Sequence, residues 1–277
     1  MKILITGGSG FIGRNLVKEL NKTHSVFSPS SKELNLINEV EVDEYFKDKE
    51  FDWVIHCAIR GGRRIDKDSK NILSDNLLMF YNLIRNQNSF KFFINFTSGA
   101  ELDRSNNIGY KINEPNIFFP KDYYGISKNI ISRLINNDKR FFNLRIYGVF
   151  GPDEREDRFI STCIRKIKGG KKIEIFQDKQ FDFFYIDDLI LLVVKILNSN
   201  KSLNSNNLDL VYKDKYLLSD IGKLLLHKFD SLNGIFIKDN QIGLSYIGSY
   251  ESFFDNLEFK GLEYGIDCMI KNVKIID

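Results

Sequence analysis

Tyr124 and Lys128 stand four residues apart in the stretch Tyr124-Gly125-Ile126-Ser127-Lys128, a spacing that puts both side chains on one face of a helix. A phenol is a weak proton donor or base near neutrality because its pKa is about 10. An ammonium beside it stabilises the phenolate and lowers that pKa, so the pair can move a proton. Upstream, Phe96-Thr97-Ser98-Gly99-Ala100 ends a short apolar run with two hydroxyl residues. A hydroxyl there can share a hydrogen bond with the tyrosine and with a substrate oxygen. Alone, such a pair is often a solvated helix face, and a serine after a strand is often a turn or capping residue. The elements around them must decide.

The N-terminus supplies the decisive context. Ile3-Leu4-Ile5 leads into Thr6-Gly7-Gly8-Ser9-Gly10-Phe11-Ile12-Gly13, so three glycines follow a predicted strand and open a predicted helix. Gly7 permits the tight turn, Gly10 lets the backbone approach a pyrophosphate, and Gly13 allows close helix-to-strand packing. The helix N-terminus, with Phe11 and Ile12 in its first turn, offers N–H groups and a partial positive charge to phosphates. The expected ligand is a dinucleotide. A site selective for NAD ends its second strand with Asp or Glu to hold the ribose 2′-hydroxyl. Here that region reads Ser28-Pro29-Ser30-Ser31-Lys32, with no carboxylate before Glu33. The hydroxyls of Ser30 and Ser31 and a lysine suit a 2′-phosphate, so NADP is expected, with NAD the alternative.

Stepping along the chain, apolar runs alternate with amphipathic stretches, the pattern of a parallel sheet with crossover helices. Strands are predicted at Ile3–Thr6, Ser25–Ser28, Trp53–Cys57, Phe92–Phe96 and Phe142–Ile146. Helices are predicted at Phe11–Glu19, Glu39–Phe46, Asp75–Arg85 and Tyr123–Ile135. The fold class is therefore α/β, a doubly wound parallel sheet. After Pro152 the character changes: a charged loop at Asp153–Arg158, a helix at Phe159–Ile167, strands at Glu174–Phe176 and Phe183–Ile186, and an apolar helix at Asp187–Leu197. Asn198–Asn206 reads as a polar surface loop, Leu208–Val211 as a strand that returns to the main sheet, and the remainder as shorter, weaker elements. Residues 1–150 and 181–212 are expected to form the dinucleotide-binding domain, and 151–180 with 213–277 a small C-terminal substrate-binding lobe.

Composition narrows the partners. Forty basic and 37 acidic residues leave a formal net charge of +3 without a long basic run, which gives no argument for nucleic acid or a membrane surface. Arg60, Arg63 and Arg64 form a short cluster that reads equally as a solvated loop or an anion contact. Cys57, Cys163 and Cys268 lie far apart, against a disulfide framework or a zinc site. The opening apolar run is too short for a signal-peptide core, and a reducing cytoplasm is the expected location.

Taken together, these motifs resemble the extended short-chain dehydrogenase/reductase family, the sugar-nucleotide epimerases, dehydratases and reductases built on the Rossmann fold. The resemblance covers nearly the whole chain. The glycine turn matches the family's cofactor turn, His56-Cys57-Ala58 resembles its strand-end motif beside the cofactor, and Tyr124 with Lys128 matches its catalytic pair. Ser98 looks like the triad's hydroxyl, with Thr97 the alternative if the alignment slips by one. Arg145–Pro152 resembles the segment leading into the substrate lobe, and Asp182–Leu189 the family's turn after it. The resemblance implies catalytic roles for Ser98, Tyr124 and Lys128, cofactor contacts at Leu36, Cys57 and Ala58 as well as the glycine turn, and substrate contacts at Thr97, Gly99, Arg158 and Phe181. It also implies a homodimer, with the helix Tyr123–Ile135 as a candidate surface.

The departures from the family narrow the chemistry. Dehydratases of the family carry an acidic pair directly after the catalytic hydroxyl; Gly99-Ala100 stand there, so dehydration is not expected. The fucose synthases use a cysteine shortly after that serine and a histidine in the substrate lobe; Gly99 or Ala100 and Arg158 hold those places. The expected reaction is plain reduction of a 4-keto-6-deoxy sugar nucleotide. A sugar-nucleotide 4-epimerase with the same triad, and a non-catalytic cofactor-sensing protein of this fold, are the alternatives. Gly148 stands where relatives commonly have asparagine, and Phe181 where they commonly have arginine near the pyrophosphate. Arg158, Lys166 or the Arg60–Arg64 cluster are the candidate substitutes.

Overall fold

The computed structural model describes residues 1–62, 69–102, 120–135, 138–199 and 206–272; Arg63, Arg64 and most of the asparagine-rich run 198–206 lie outside them. Two compact units divide these residues. The first gathers the described parts of Met1–Asp103, Ile112–Arg145 and Leu192–Leu208, and the second those of Ile146–Leu191 and Asp209–Asp277.

The N-terminal part alternates strands and helices as expected: β1 (Lys2–Thr6), α1 (Phe11–Leu20), β2 (Ser25–Phe27), α2 (Glu39–Phe46), β3 (Phe51–His56), α3 (Asn71–Arg85), β4 (Phe90–Ser98), α4 (Tyr123–Ile135) and β5 (Phe141–Ile146). Then come β6 (Val149–Phe150), α5 (Phe159–Lys168), β7 (Ile173–Gln177), β8 (Phe184–Tyr185), α6 (Ile186–Asn198), β9 (Asn207–Leu210), α7 (Leu218–Lys228), β10 (Ile235–Asp239) and α8 (Gly261–Asn272). Six strands form one sheet in the order β2-β1-β3-β4-β5-β9. β1 pairs in parallel with both β2 and β3, and β3 with β4. Strands covered on both faces read as continuous apolar runs, and Ile3, Leu4, Ile5, Val54, Ile55, Phe93 and Ile94 are wholly buried. An aromatic chain lines one face: Phe46 to Phe51 at 5.7 Å, Phe90 to Phe93 at 5.8 Å and Phe93 to Phe141 at 5.6 Å between ring centroids. α2 starts where it does because the Asn38 side chain accepts the Val40 N–H at 3.1 Å, capping the first turn.

The strand order reverses between β1 and β3. In an open α/β sheet that reversal opens a crevice at the strand C-termini, the usual place for a ligand.

The second unit holds more regular structure than its sequence suggested. β7 pairs in parallel with β10, a strand missed because its side chains are only half covered. α7 carries Gly222 at its centre, which lowers helix propensity; a Cβ there would stand 2.9 Å from Ile235 Cδ1 of β10, so packing explains the glycine. α8 likewise emerges from a segment read as weak. The strand expected at Phe183–Ile186 is shorter, Phe184–Tyr185, because α6 already begins at Ile186. Among the described residues no helix is long and apolar enough to cross a membrane.

Candidate active site

The glycine turn sits at the strand reversal. Thr6 pairs with His56 across β1 and β3, and the Cys57 N–H donates to the Thr6 carbonyl at 3.1 Å. Gly7 has a φ of +68°, and a Cβ on it would stand 2.5 Å from the Ala58 nitrogen. A Cβ on Gly13 would lie 2.3 Å from the Gly7 oxygen, so α1 presses onto the turn only without one. Gly10 caps α1 in an extended conformation, and no side chain occupies the helix end. Close backbone approach, an uncapped helix start at Phe11–Ile12–Gly13 and no Cβ in the cradle fit the pyrophosphate of a dinucleotide.

Beneath this turn, the Thr6 hydroxyl meets His56 Nδ1 at 2.8 Å. Burial pushes the His56 imidazole down to about 3, aided by the nearby Lys128 charge, so it is a neutral hydrogen-bonding partner. Burial raises the Cys57 thiol, which makes it inert rather than nucleophilic.

Past β2, the Ser28 hydroxyl packs over Gly8, while Ser30, Ser31 and Lys32 are exposed. The Ser30 N–H donates to Glu33 Oε2 at 2.8 Å, and that bond holds the Glu33 carboxyl below the usual carboxylate range. The first carboxylate after β2 is thus engaged by its own loop. Leu36 is a core residue, packed with Leu34, Val42 and Met79.

Ser98, Tyr124 and Lys128 lie at the end of β4 and in the first turns of α4. Lys128 is 4% exposed, and its Nζ donates to the Phe96 carbonyl at 2.6 Å and lies 5.9 Å from the centre of the Tyr124 ring. Burial lowers its pKa to about 8, against the opposing pull of Glu101 and Cys57. Ser98 ends β4 and accepts the Ala100 N–H at 3.2 Å, while buried Gly99 opens a short 3-10 turn, Gly99–Glu101. The Thr97 hydroxyl turns the other way and donates to the Glu101 carboxylate, which separates the two hydroxyls that the sequence left as alternatives.

Sequence reasoning missed Asn76. Its Nδ2 donates to the Arg60 carbonyl at 3.0 Å and to the Ser127 hydroxyl at 3.1 Å, and its Oδ1 accepts the Arg60 N–H at 2.9 Å. One buried amide thereby ties the loop after β3 to α3 and α4. The signal was present: an asparagine among the apolar positions of a predicted helix. Arg60 itself is ion-paired with Asp75.

In the second unit, Arg158 is the exposed N-cap residue of α5, its Nη2 3.4 Å from the Val149 carbonyl, and Lys166 pairs with Glu174 at 2.8 Å. Phe181 is buried in an aromatic group, 4.8 Å from Phe183 and 5.1 Å from Tyr246 between centroids. A Cβ on Gly148 would stand 2.6 Å from Phe181 Cε1. The two departures from the family pattern are therefore one packing event: the ring at 181 uses the room left by the missing side chain at 148. Glu154, in the loop before α5, is buried, and among the described residues neither carboxyl oxygen has a well-formed hydrogen-bond partner. Burial raises it to about 8, against the pull of Arg158.

A doubly wound sheet with a glycine cradle at its switch point, and a Ser-Tyr-Lys group at the neighbouring strand end, define a dinucleotide-using α/β protein. Residues 3–210 match the model of the NAD dependent epimerase/dehydratase family, and the chain belongs to that family. It is 25% identical to GDP-L-colitose synthase of Yersinia pseudotuberculosis, covering 92% of this chain and 90% of that protein. Its fold is similar to GDP-mannoheptose C4 reductase from Campylobacter jejuni with NADP bound (TM-score 0.79, 18% identity, 98% and 97% of the two chains). It is also similar to UDP-glucose 4-epimerase from Thermotoga maritima (TM-score 0.79, 19% identity, 98% of each chain).

Proposed function

We propose that this chain is an NADP-dependent reductase of a 4-keto-6-deoxy sugar nucleotide. The observation that carries the reading is the buried Lys128 ammonium, held on the Phe96 carbonyl beside the Tyr124 ring and one strand end from Ser98. A buried cation is retained against its desolvation cost where its charge is used. The names of relatives agree in substrate class: GDP-L-colitose synthase by sequence, and a GDP-mannoheptose C4 reductase by fold.

Gly7, Gly10 and Gly13 would hold NADPH, which would supply hydride for reduction of the C4 ketone. Tyr124 gives its phenolic proton to the carbonyl oxygen, so the C=O becomes CH–OH. Ser98 donates a hydrogen bond that orients this oxygen. The Lys128 charge stabilises the phenolate left behind until solvent returns the proton. Thr97, turned to Glu101, is assigned no contact with the reacting oxygen. Ser30, Ser31 and Lys32 form the 2′-phosphate site, with the Glu33 carboxylate held aside by Ser30. Arg60 pairs with Asp75 and Lys166 with Glu174; Arg158 is assigned to the substrate diphosphate, and the other candidates, Arg63 and Arg64, lie outside the described residues. Phe181 contributes an apolar wall rather than a charge.

The test is oxidation of NADPH and of NADH over 4-keto-6-deoxy sugars carried on GDP, dTDP, CDP and UDP. Consumption of NADPH in preference to NADH with at least one of them is expected. Interconversion of C4 epimers by a chain that retains NAD, with no net consumption, replaces the reading with epimerisation. No turnover of either kind overturns it.

A further inference from the structure

Behind Ser98 lies a buried polar cluster that the proposed reaction does not use. Glu101 is 1% exposed and Arg145 is 7% exposed. The Glu101 carboxylate accepts Arg145 Nε at 2.7 Å, Arg145 Nη2, the Thr97 hydroxyl and the Ser132 hydroxyl. Its backbone carbonyl accepts Asn129 Nδ2 at 2.9 Å. Asn143 Nδ2 donates to the Ser132 oxygen at 2.8 Å, and Asn95 Nδ2 to the Asn143 oxygen at 2.8 Å. The protons balance: each hydroxyl gives its hydrogen to the carboxylate, and Ser132 accepts from Asn143. Four elements meet on one carboxylate: the end of β4, the 3-10 turn, α4 and β5.

These anchors flank the proton-handling residues. Thr97 precedes Ser98, Asn129 follows Lys128, and Ser132 lies one turn further along the Lys128 face of α4. A buried charge without donors is costly, so the four donors gathered on the Glu101 carboxylate favour one geometry. Resting on the reductase reading for what Ser98 and Lys128 do, we propose that Glu101, clamped by Arg145, is a positioning residue that fixes the β4 end against α4 and holds a negative charge toward the Lys128 ammonium.

Among the described residues, the groups facing Lys128 are Glu101 from the 3-10 turn, with the Arg145 cation of β5 paired to it, His56 and Cys57 from the end of β3, and Tyr124 from its own helix. His56 is neutral and the Cys57 thiol is held protonated by burial, so Glu101 is the formal negative charge in this set. Its removal leaves burial unopposed, and Lys128 then loses its proton at lower pH.

The experiment follows the Lys128 ammonium directly, by NMR titration of protein labelled at lysine Cε and Nζ, with the resonance assigned by its loss in Lys128→Arg. In Glu101→Gln the titration midpoint is expected to fall by about one pH unit. NADPH affinity is expected to stay within about twofold, while kcat falls at least about tenfold and its basic limb moves down in pH. Where Glu101→Gln does not fold because Arg145 is left unpaired, the double variant E101Q/R145Q removes both charges, and a smaller fall of the Lys128 midpoint below the native value is expected. A Lys128 midpoint unchanged in the folded variant overturns the proposal. Absence of turnover in the native chain sinks the reductase reading alone, because the titration needs no substrate and still decides this one.

Discussion

Gly62 lies against the ring of Tyr124: a Cβ on Gly62 would stand 2.8 Å from both Cε2 and Cζ. The glycine also has a φ of +72°, a left-handed backbone that side chains resist. The loop after β3 thus sets the tilt of the phenol, and only glycine allows it. Gly62→Ala is expected to lower turnover by roughly 10²-fold through displacement of the ring, with NADPH affinity kept. Steady-state kinetics beside cofactor titration checks this; unchanged kcat would show that the loop yields instead.

Tyr124→Phe removes the hydroxyl proposed as the proton donor and keeps the half-buried ring. Turnover should drop by about 10²–10⁴-fold, the usual range for a lost general acid. Thermal stability and NADPH binding should hardly change. A variant that kept its turnover would move the proton donor elsewhere.

Gly148 and Phe181 should be coupled. Gly148→Ala places a methyl 2.6 Å from the ring and 3.0 Å from the Asp182 carbonyl, and overpacking of this kind costs about 1–3 kcal/mol. Phe181→Leu in the same chain should recover part of that loss. A double-mutant cycle on urea midpoints measures the coupling, and strict additivity would deny the contact.

Glu154 makes stability depend on pH in a fixed direction. Its folded pKa is raised from 4.5 to about 8 by burial, so the folded chain holds a proton that the unfolded chain releases. The associated stability is complete below about pH 4.5 and is lost as pH rises through 8. Glu154→Gln, which never ionises, should therefore match the native chain near pH 4 and exceed it near pH 9, by roughly 5 kcal/mol at most. Melting curves across that range test the sign; a variant weaker than the native chain at pH 9 would mean that the ionised carboxylate is stabilised.

Much of this protein was legible in its sequence because the signals are local. The glycine spacing of Gly7, Gly10 and Gly13 is a steric requirement of one turn, readable without any partner. The apolar runs of β1, β3 and β4 follow from burial on both faces of the sheet, and Tyr124 with Lys128 follows from helix periodicity. The helix α3 began one turn earlier than its apolar pattern, at Asn71 rather than Asp75, since its first turn buries little. What only the tertiary structure decided depends on residues far apart in the chain. Glu101 reads as an ordinary surface acid until Arg145, Ser132 and Thr97 close around it; Asn76 is one polar residue on a helix until the loop after β3 reaches it. Phe181 and Gly148 read as two losses and prove to be one fit. The glycine at 62 became informative only when the ring of Tyr124 arrived beside it. Local steric rules are written in consecutive residues, whereas the energy of a buried charge or a packed ring is fixed by whatever the fold brings against it.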